Sequence, residues 1–141
     1  MRWTAIIAGL LVLTLAGCKD ETSAAKAEGR SKLSLRLLDF TYEVKDGLNQ
    51  YHHRRVFTES GGVGTTIVRG RVCVQHGSHC VDALVHYRID AMQTLEQKGH
   101  YVATPEDKDR ITLHYWAEDD AGNKYELEKV LLTDGKNVTV E

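Results

Sequence analysis

Apolar and polar residues alternate along most of the chain from Leu33 onward. A period of two is typical of half-buried β-strands. The phase slips by one residue between Leu37 and Leu38, which predicts a β-bulge or a bend there. Further extended stretches follow at 51–58, 66–74, 81–91, 111–118, 125–132 and 138–140. About seven strands separated by turn signals predict an all-β fold, an antiparallel β-sandwich of the immunoglobulin or transthyretin type.

A different pattern occupies the start of the chain. Arg2 supplies a positive charge, residues 5–16 are uncharged and mostly apolar, and Cys18 is followed directly by the charged run 19–21. This order of charge, apolar run and small residues is that of a secretory signal peptide. The apolar run is shorter than the about 20 residues that a membrane-spanning helix needs.

The tetrapeptide LAGC at 15–18 resembles the lipobox of bacterial lipoproteins. In that family the cysteine receives diacylglycerol and the peptide is cut directly before it. The resemblance implies that 1–17 is a signal peptide and that Cys18 is the lipidated first residue of the mature protein. Lys19 occupies the position where Asp favours retention at the inner membrane, which implies an outer-membrane lipoprotein facing the periplasm. Acyl chains anchor a protein to a membrane surface without spanning it.

The mature chain divides into a tether and one domain. Residues 18–32 contain the lipidated cysteine and a small, polar, charged stretch that predicts a flexible tether, and residues 33–141 suit one domain. Loss of Arg2 from the 18 Lys and Arg leaves 17 of them against 20 Asp and Glu. Nucleic acid is therefore not an expected partner.

Cys73 and Cys80 flank a four-residue loop, 75–78, between two alternating stretches. Placing the two cysteines opposite each other puts the apolar pairs on one face and a charge pair on the other. This register pairs Val72 with Val81, Arg71 with Asp82, and Val68 with Val85. Because an oxidising envelope compartment favours disulfides, we predict a hairpin with a Cys73–Cys80 bond.

Residues 111–123 (ITLHYWAEDDAGN) resemble the late F strand and following turn of bacterial immunoglobulin-like and hyalin-repeat domains. The resemblance implies a sandwich and no particular activity. By strand parity, Ile111, Leu113, Tyr115 and Ala117 are expected to face the core.

No catalytic residues and no cofactor are predicted, because no nucleophile–base pair can be recognised from spacing. Cys73, His76, His79 and Cys80 lie close together, and His52, His53 and His86 could approach them. Zinc sites use such ligands, but a disulfide removes both thiolates, so no metal ligand is assigned. Metal or small-ligand binding through the histidines stays an alternative.

The segment His52–Arg55 (HHRR) is a small basic patch on the second stretch. Edge strands commonly carry charge, so we predict a solvated edge strand. Contact with anionic lipid headgroups or an acidic partner is the alternative.

Trp116 points away from the predicted core, in the same outward set as His114, Leu84 and His86. An outward Trp beside a Leu is typical of an interface anchor, which predicts a protein-binding surface on these four residues. The alternative is that residues 92–99, a short helical turn or a loop, cover this face.

The sequence therefore favours a non-catalytic, lipid-anchored accessory of an envelope assembly, such as a secretion or conjugation system. Its partner would be a periplasmic or outer-membrane protein. An inhibitor, immunity or exclusion lipoprotein that acts on a hydrolase, phage or plasmid is the alternative, with the loop tip His76, Gly77 and Ser78 as its contact.

Overall fold

A computed structural model describes residues 28–141 of the chain. The predicted signal peptide and the predicted lipidation site, Cys18, lie outside these residues. Within them, no helix is long and apolar enough to cross a bilayer.

Eight β-strands make up the domain. They are β1 (Leu33–Lys45), β2 (Leu48–Glu59), β3 (Thr65–Val74), β4 (His79–Ile89), β5 (Thr94–Thr104), β6 (Lys108–Asp119), β7 (Lys124–Asp134) and β8 (Asn137–Val140). The β1–β2 hairpin turns at Asp46 and Gly47, both with positive φ, as tight hairpin turns require.

The strands form two antiparallel sheets, β1-β2-β5 and β4-β3-β6-β7-β8. The predicted β-sandwich is confirmed, as is the Cys73–Cys80 disulfide. In a constant-type immunoglobulin domain the fourth strand joins the sheet of the first, second and fifth. Here β4 pairs with β3, and the disulfide at their shared tip holds it there.

The core lies between the two sheets and draws on both. Its largest fully buried apolar side chains are Tyr51, Phe57, Ile67, Ile89, Ile111, Leu113 and Leu131. Phe57 of β2 meets Tyr115 of β6 edge to face, with ring centroids 5.3 Å apart. The four β6 residues predicted to face inward are all buried.

Register shifts in β1 and β3 change the phase of the alternation. In β1 the register shifts between Leu38 and Thr41, where Asp39 has a φ of 58°, so the predicted irregularity is confirmed. In β3 the register shifts between Ile67 and Arg69. Cys73 lies opposite Cys80 and the predicted register holds as far as Arg69, but the pairing of Val68 with Val85 is wrong because Val68 sits at this bulge.

Residues 92–99 are neither a helical turn nor a free loop. A turn ends at Gln93, and strand β5 begins at Thr94 and pairs with β2. This strand brings the total to eight, and it places residues 94–99 in the three-stranded sheet rather than over Trp116.

Contacts with the sandwich also begin before Leu33. Ser31 is buried, and its N–H donates to Asp119 Oδ2 at 3.0 Å. The Lys32 N–H donates to Glu59 Oε1 at 2.9 Å. The end of the predicted tether is therefore part of the sandwich, because these backbone groups are held by buried carboxylates.

Candidate functional site

The four predicted surface residues all lie on the outward side of the five-stranded sheet. Arg69 of β3 pairs with Leu84 of β4 on one side and Trp116 of β6 on the other. Two residues further along β3, Arg71 pairs with Asp82 of β4 and with His114 of β6. We call this surface the Trp116 face and define it by Arg69, Arg71, Asp82, Leu84, His114 and Trp116.

Three planar side-chain groups contact the ring of Trp116. The His114 ring stacks on it with centroids 4.1 Å apart and an interplanar angle of 5°. The guanidinium carbon of Arg69 lies 4.4 Å from the Trp116 ring centroid, and that of Arg71 lies 5.7 Å away. Stacking and cation–π contacts therefore fix the orientation of the indole.

Asp82 connects the two arginines. Arg69 Nη2 lies 2.6 Å from Asp82 Oδ1, and Arg71 Nη2 lies 3.0 Å from Asp82 Oδ2. Hydrogen bonding from Arg71 lowers the pKa of the Asp82 carboxyl below its ordinary value, with Arg69 adding to the effect. Both guanidinium groups are thus oriented along the sheet, where they border Trp116.

Acidic residues of β7 border the other side. His114 Nε2 lies 2.6 Å from Glu126 Oε2, and its Nδ1 lies 3.6 Å from Glu128 Oε2. These carboxylates hold the imidazole in its stacked position against Trp116.

Leu84 is 89% exposed on β4, next to this ordered cluster. His86 is exposed on the same strand, opposite the bulge at Val68, which is itself 41% exposed. A depression of about 300 Å³ adjoins Trp116 and is lined in part by Val68 and Tyr125. The structure thus brings Trp116 and His114 into contact and separates them from Leu84 by Arg69.

Sequence reasoning missed the two arginines as members of this surface. Arg71 was correctly placed opposite Asp82, but the pairing of β3 with β6 is non-local and carries no signal in the sequence. That pairing is what puts Arg69 and Arg71 beside Trp116.

The β3–β4 loop tip is held by hydrogen bonds from its backbone to Asp109. Gln75 and His76 donate their backbone N–H groups to the Asp109 carboxylate, each at 2.8 Å. The Ser78 hydroxyl donates to the Gln75 carbonyl at 2.7 Å. Burial raises the pKa of Asp109, but hydrogen bonds from Thr104 and the tip outweigh it and lower that pKa overall. The side chain of His76 projects from a tip whose backbone is fixed.

The cysteines and histidines at 73, 76, 79 and 80 form a disulfide-bonded hairpin rather than a set of metal ligands. Both sulfurs are joined in the disulfide, which leaves no thiolate for an ion. Among residues 28–141, no group of three or more His, Cys, Asp or Glu side chains is placed to hold a metal.

The basic patch on β2 is not a solvated edge. Strand β2 is the central strand of its sheet, so alternate side chains turn into the sandwich. His53 is 4% exposed and Arg55 is 8% exposed. Only His52 and Arg54 face outward, where they pair with Glu43 at 2.8 Å and Asp39 at 2.7 Å.

Comparison with known proteins gives the fold alone. The chain matches no protein-family model and no curated protein sequence. Its fold is similar to the crystal structure of a candidate ApaA protein from Bordetella pertussis, with a TM-score of 0.60 and 13% identity. The similarity covers 74% of this chain and 94% of that protein.

Proposed function

We propose that this chain is a non-catalytic lipoprotein that binds a protein partner through the Trp116 face. In this proposal Cys18 anchors it to the periplasmic side of the outer membrane. It would serve as an accessory of an envelope assembly, such as a secretion or conjugation system, with a periplasmic or outer-membrane protein as its partner.

The observation that carries the proposal is the preorganised Trp116 indole on the same face as the almost fully exposed Leu84, with Arg69 of β3 between them. Trp and Arg are the residue types most enriched among interface hot spots. A side chain that is already held in place loses less conformational freedom when a partner binds. The rigid indole supplies an anchor, and Leu84 supplies apolar area that a partner would cover.

Charge on this face favours a partner with polar groups around an apolar centre. Arg69 and Arg71 flank Trp116 on one side, and Glu126 lies beyond His114 on the other. Such a ring of charge around an aromatic anchor matches the polar rim of a protein interface. Because both signs of charge are present, these residues would orient a bound partner rather than attract every protein of one charge.

Co-purification of the full chain with its partner tests the proposed face. We expect Leu84→Ser and Trp116→Ser each to abolish co-purification, while circular dichroism and the melting temperature of Leu84→Ser stay close to wild type. Val44→Ser is the matched control, because Val44 is 64% exposed but lies on the other sheet. Unchanged co-purification by both Trp116 face variants would remove this face from the proposal.

The lipid anchor is tested separately by fractionation. The lipobox resemblance supports acylation at Cys18, so wild type is expected in the outer-membrane fraction and Cys18→Ser in the soluble fraction. A Cys18→Ser protein that stays with the membrane would contradict lipid anchoring without touching the protein-binding proposal.

A second function, inhibition of a hydrolase, is favoured by the fixed loop tip. Inhibitors that act through a protruding loop gain affinity when that loop is rigid, and here Asp109 and the disulfide hold it. Under this alternative, His76→Ala and Ser78→Ala lose inhibition of an envelope hydrolase such as a lysozyme. Full inhibition by both variants excludes the tip as the inhibitory contact.

A further inference from the structure

Arg55 brings a guanidinium group into the space between the two sheets. It extends from β2, and its Nη1 donates to the Tyr115 hydroxyl at 2.8 Å. Its Nη2 lies 2.8 Å from His100 Nε2. Arginine has no acceptor atom, so this histidine nitrogen must accept the hydrogen bond, and His100 is therefore neutral. Burial and the adjacent Arg55 charge lower the pKa of His100, which agrees with a neutral ring.

The charge of Arg55 has no opposite charge beside it. Across residues 28–141, no carboxylate forms an ion pair with this guanidinium, and its buried Nε has no hydrogen-bond partner. The guanidinium carbon lies 5.6 to 6.0 Å from the ring centroids of Phe57, Tyr87 and Tyr115. Aromatic faces offset part of the cost of burying a cation, but a buried charge is normally paired with an anion.

A cavity opens onto this unpaired group. It has a volume of about 150 Å³ and is lined by Arg55, Tyr87 and Tyr115 together with residues of the β3–β4 hairpin, which include Gly70, Arg71 and an apolar wall. That apolar wall comprises Val72, Val81, Ala83 and Val85. The cavity therefore has a cationic end and an apolar wall.

A second cavity, of about 400 Å³, continues the apolar wall toward β5. The two share Val72 and Val81, and the second adds Val74, Tyr101 and Val102. Strand β4 is an edge strand, and Val81 on it is 61% exposed, so this side of the sandwich is accessible from solvent. The two cavities therefore adjoin each other at Val72 and Val81, on the accessible side of the sandwich.

We propose that this pocket between the sheets binds a small amphipathic carboxylate. The carboxylate meets the free N–H groups of Arg55, and the alkyl or aryl tail lies along the Val72–Val81 wall. Charge-assisted hydrogen bonds from a guanidinium to a carboxylate are among the strongest in proteins. Of the residues that define the Trp116 face, Arg71 alone also lines this cavity, and its guanidinium pairs with Asp82 on the outward side of the sheet. The proposed ligand binding therefore neither requires nor supports the proposed protein binding.

The chemistry of the lining distinguishes this ligand class from others. A cationic ligand would be repelled by the unpaired Arg55, and a neutral one would leave that charge without a counterion. A small inorganic anion would leave the apolar wall in contact with water. Only a molecule with both an anionic end and an apolar tail meets both requirements.

The test uses the whole mature chain with Cys18→Ser, so that all described residues are kept and acyl chains do not compete. Octanoate is titrated and followed by the ¹⁵N–¹H resonance of Arg55 Nε and by the melting temperature. We expect saturable one-to-one binding, at least about tenfold tighter than that of octanol or butyrate, which each lack one of the two features.

Two variants and one control locate the bound ligand. Ala83→Phe fills the cavity from the exposed edge strand and is expected to abolish octanoate binding, whereas Leu84→Phe on the opposite side of β4 leaves it unchanged. Arg55→Met keeps the side-chain volume and is expected to remove the preference for octanoate over octanol. Absence of saturable binding to wild type, equal binding of octanol, or binding that survives Ala83→Phe overturns the proposal. If wild type shows no saturable binding or binds octanol equally well, Arg55 is stabilised only by its contacts with the surrounding aromatic and histidine side chains.

Discussion

Glu59 joins three separate segments of the chain, and its replacement by Gln gives the sharpest test of how the sandwich is held. The side chain is 1% exposed, at the end of β2. Its Oε1 accepts hydrogen bonds from Ser31 Oγ, Lys32 N and Gly61 N, and its Oε2 accepts from Gly62 N and Met92 N. The carboxylate thus ties the start of the domain, the β2–β3 loop and the turn before β5 to one point.

The expected magnitude follows from the pKa of this carboxyl. Burial alone would raise it, but the four backbone N–H donors outweigh burial and lower the pKa of Glu59 from 4.5 to about 2. One pKa unit corresponds to about 1.4 kcal/mol, so the ionised form stabilises the fold by about 3 kcal/mol relative to the neutral form. Glu59→Gln removes the charge and turns an NH₂ group toward N–H donors, so we expect a loss of about that size.

Urea and thermal unfolding at pH 7 measure the loss. For a domain of this length, about 3 kcal/mol corresponds to a fall in melting temperature of about 10 to 20 °C. Glu106→Gln is the control, because Glu106 is exposed and its substitution is expected to change stability by less than about 0.5 kcal/mol.

The pH dependence of the stability difference between wild type and Glu59→Gln provides the result that would refute this reasoning. Because the folded-state pKa is lowered, the contribution of Glu59 is present above about pH 4.5 and is lost as the pH falls toward 2. The difference between wild type and Glu59→Gln is therefore expected to shrink over that window. A difference at pH 7 below about 1 kcal/mol, or one that stays constant down to pH 2, would contradict this reasoning.

Other predictions concern the β3–β4 hairpin and the Trp116 face. Asp109→Asn is expected to speed amide hydrogen exchange at Gln75 and His76 by about tenfold or more, since it weakens both N–H contacts; unchanged rates would show that the tip is held otherwise. Replacing Cys73 and Cys80 by Ala is expected to lower the free energy of unfolding by about 2.5 kcal/mol in urea titrations, as loop entropy predicts for so short a loop, and an unchanged midpoint would contradict it. Leu84→Ser is expected to change stability by less than about 0.5 kcal/mol, and a larger loss would mean that Leu84 supports the fold.

Period-two alternation identified seven of the eight strands because one side of each faces the core. Strand β5 was missed since the polar Gln97 and His100 occupy inward positions between Leu95 and Val102. The register with β2 also shifts between His53 and Arg55, which changes the phase of the alternation within β5. The disulfide allowed the β3–β4 register to be assigned as far as Arg69. The bulge at Val68 then ended that assignment, because the alternation continues through Val68 and does not mark the point where the register of β3 shifts against both β4 and β6.

The sequence predicted more of the Trp116 face than of the pocket at Arg55. Outward parity predicted Trp116, His114 and Leu84, because parity depends only on local backbone geometry. Arg55 was expected in solvent, since the basic run His52–Arg55 was interpreted as a charged edge strand. Its position follows from β2 being the central strand of its sheet, which is a property of topology rather than of local sequence.

Site-specific photocross-linking in living cells tests the proposed protein binding most directly. A photoreactive amino acid replaces Leu84 in the full-length chain, and the same substitution at Val44 on the other sheet serves as control. We expect one discrete envelope-protein adduct from position 84, none from position 44, and loss of the adduct when Trp116→Ser is added. An equal yield from both positions, or an adduct that is indifferent to Trp116→Ser, would contradict binding through the Trp116 face.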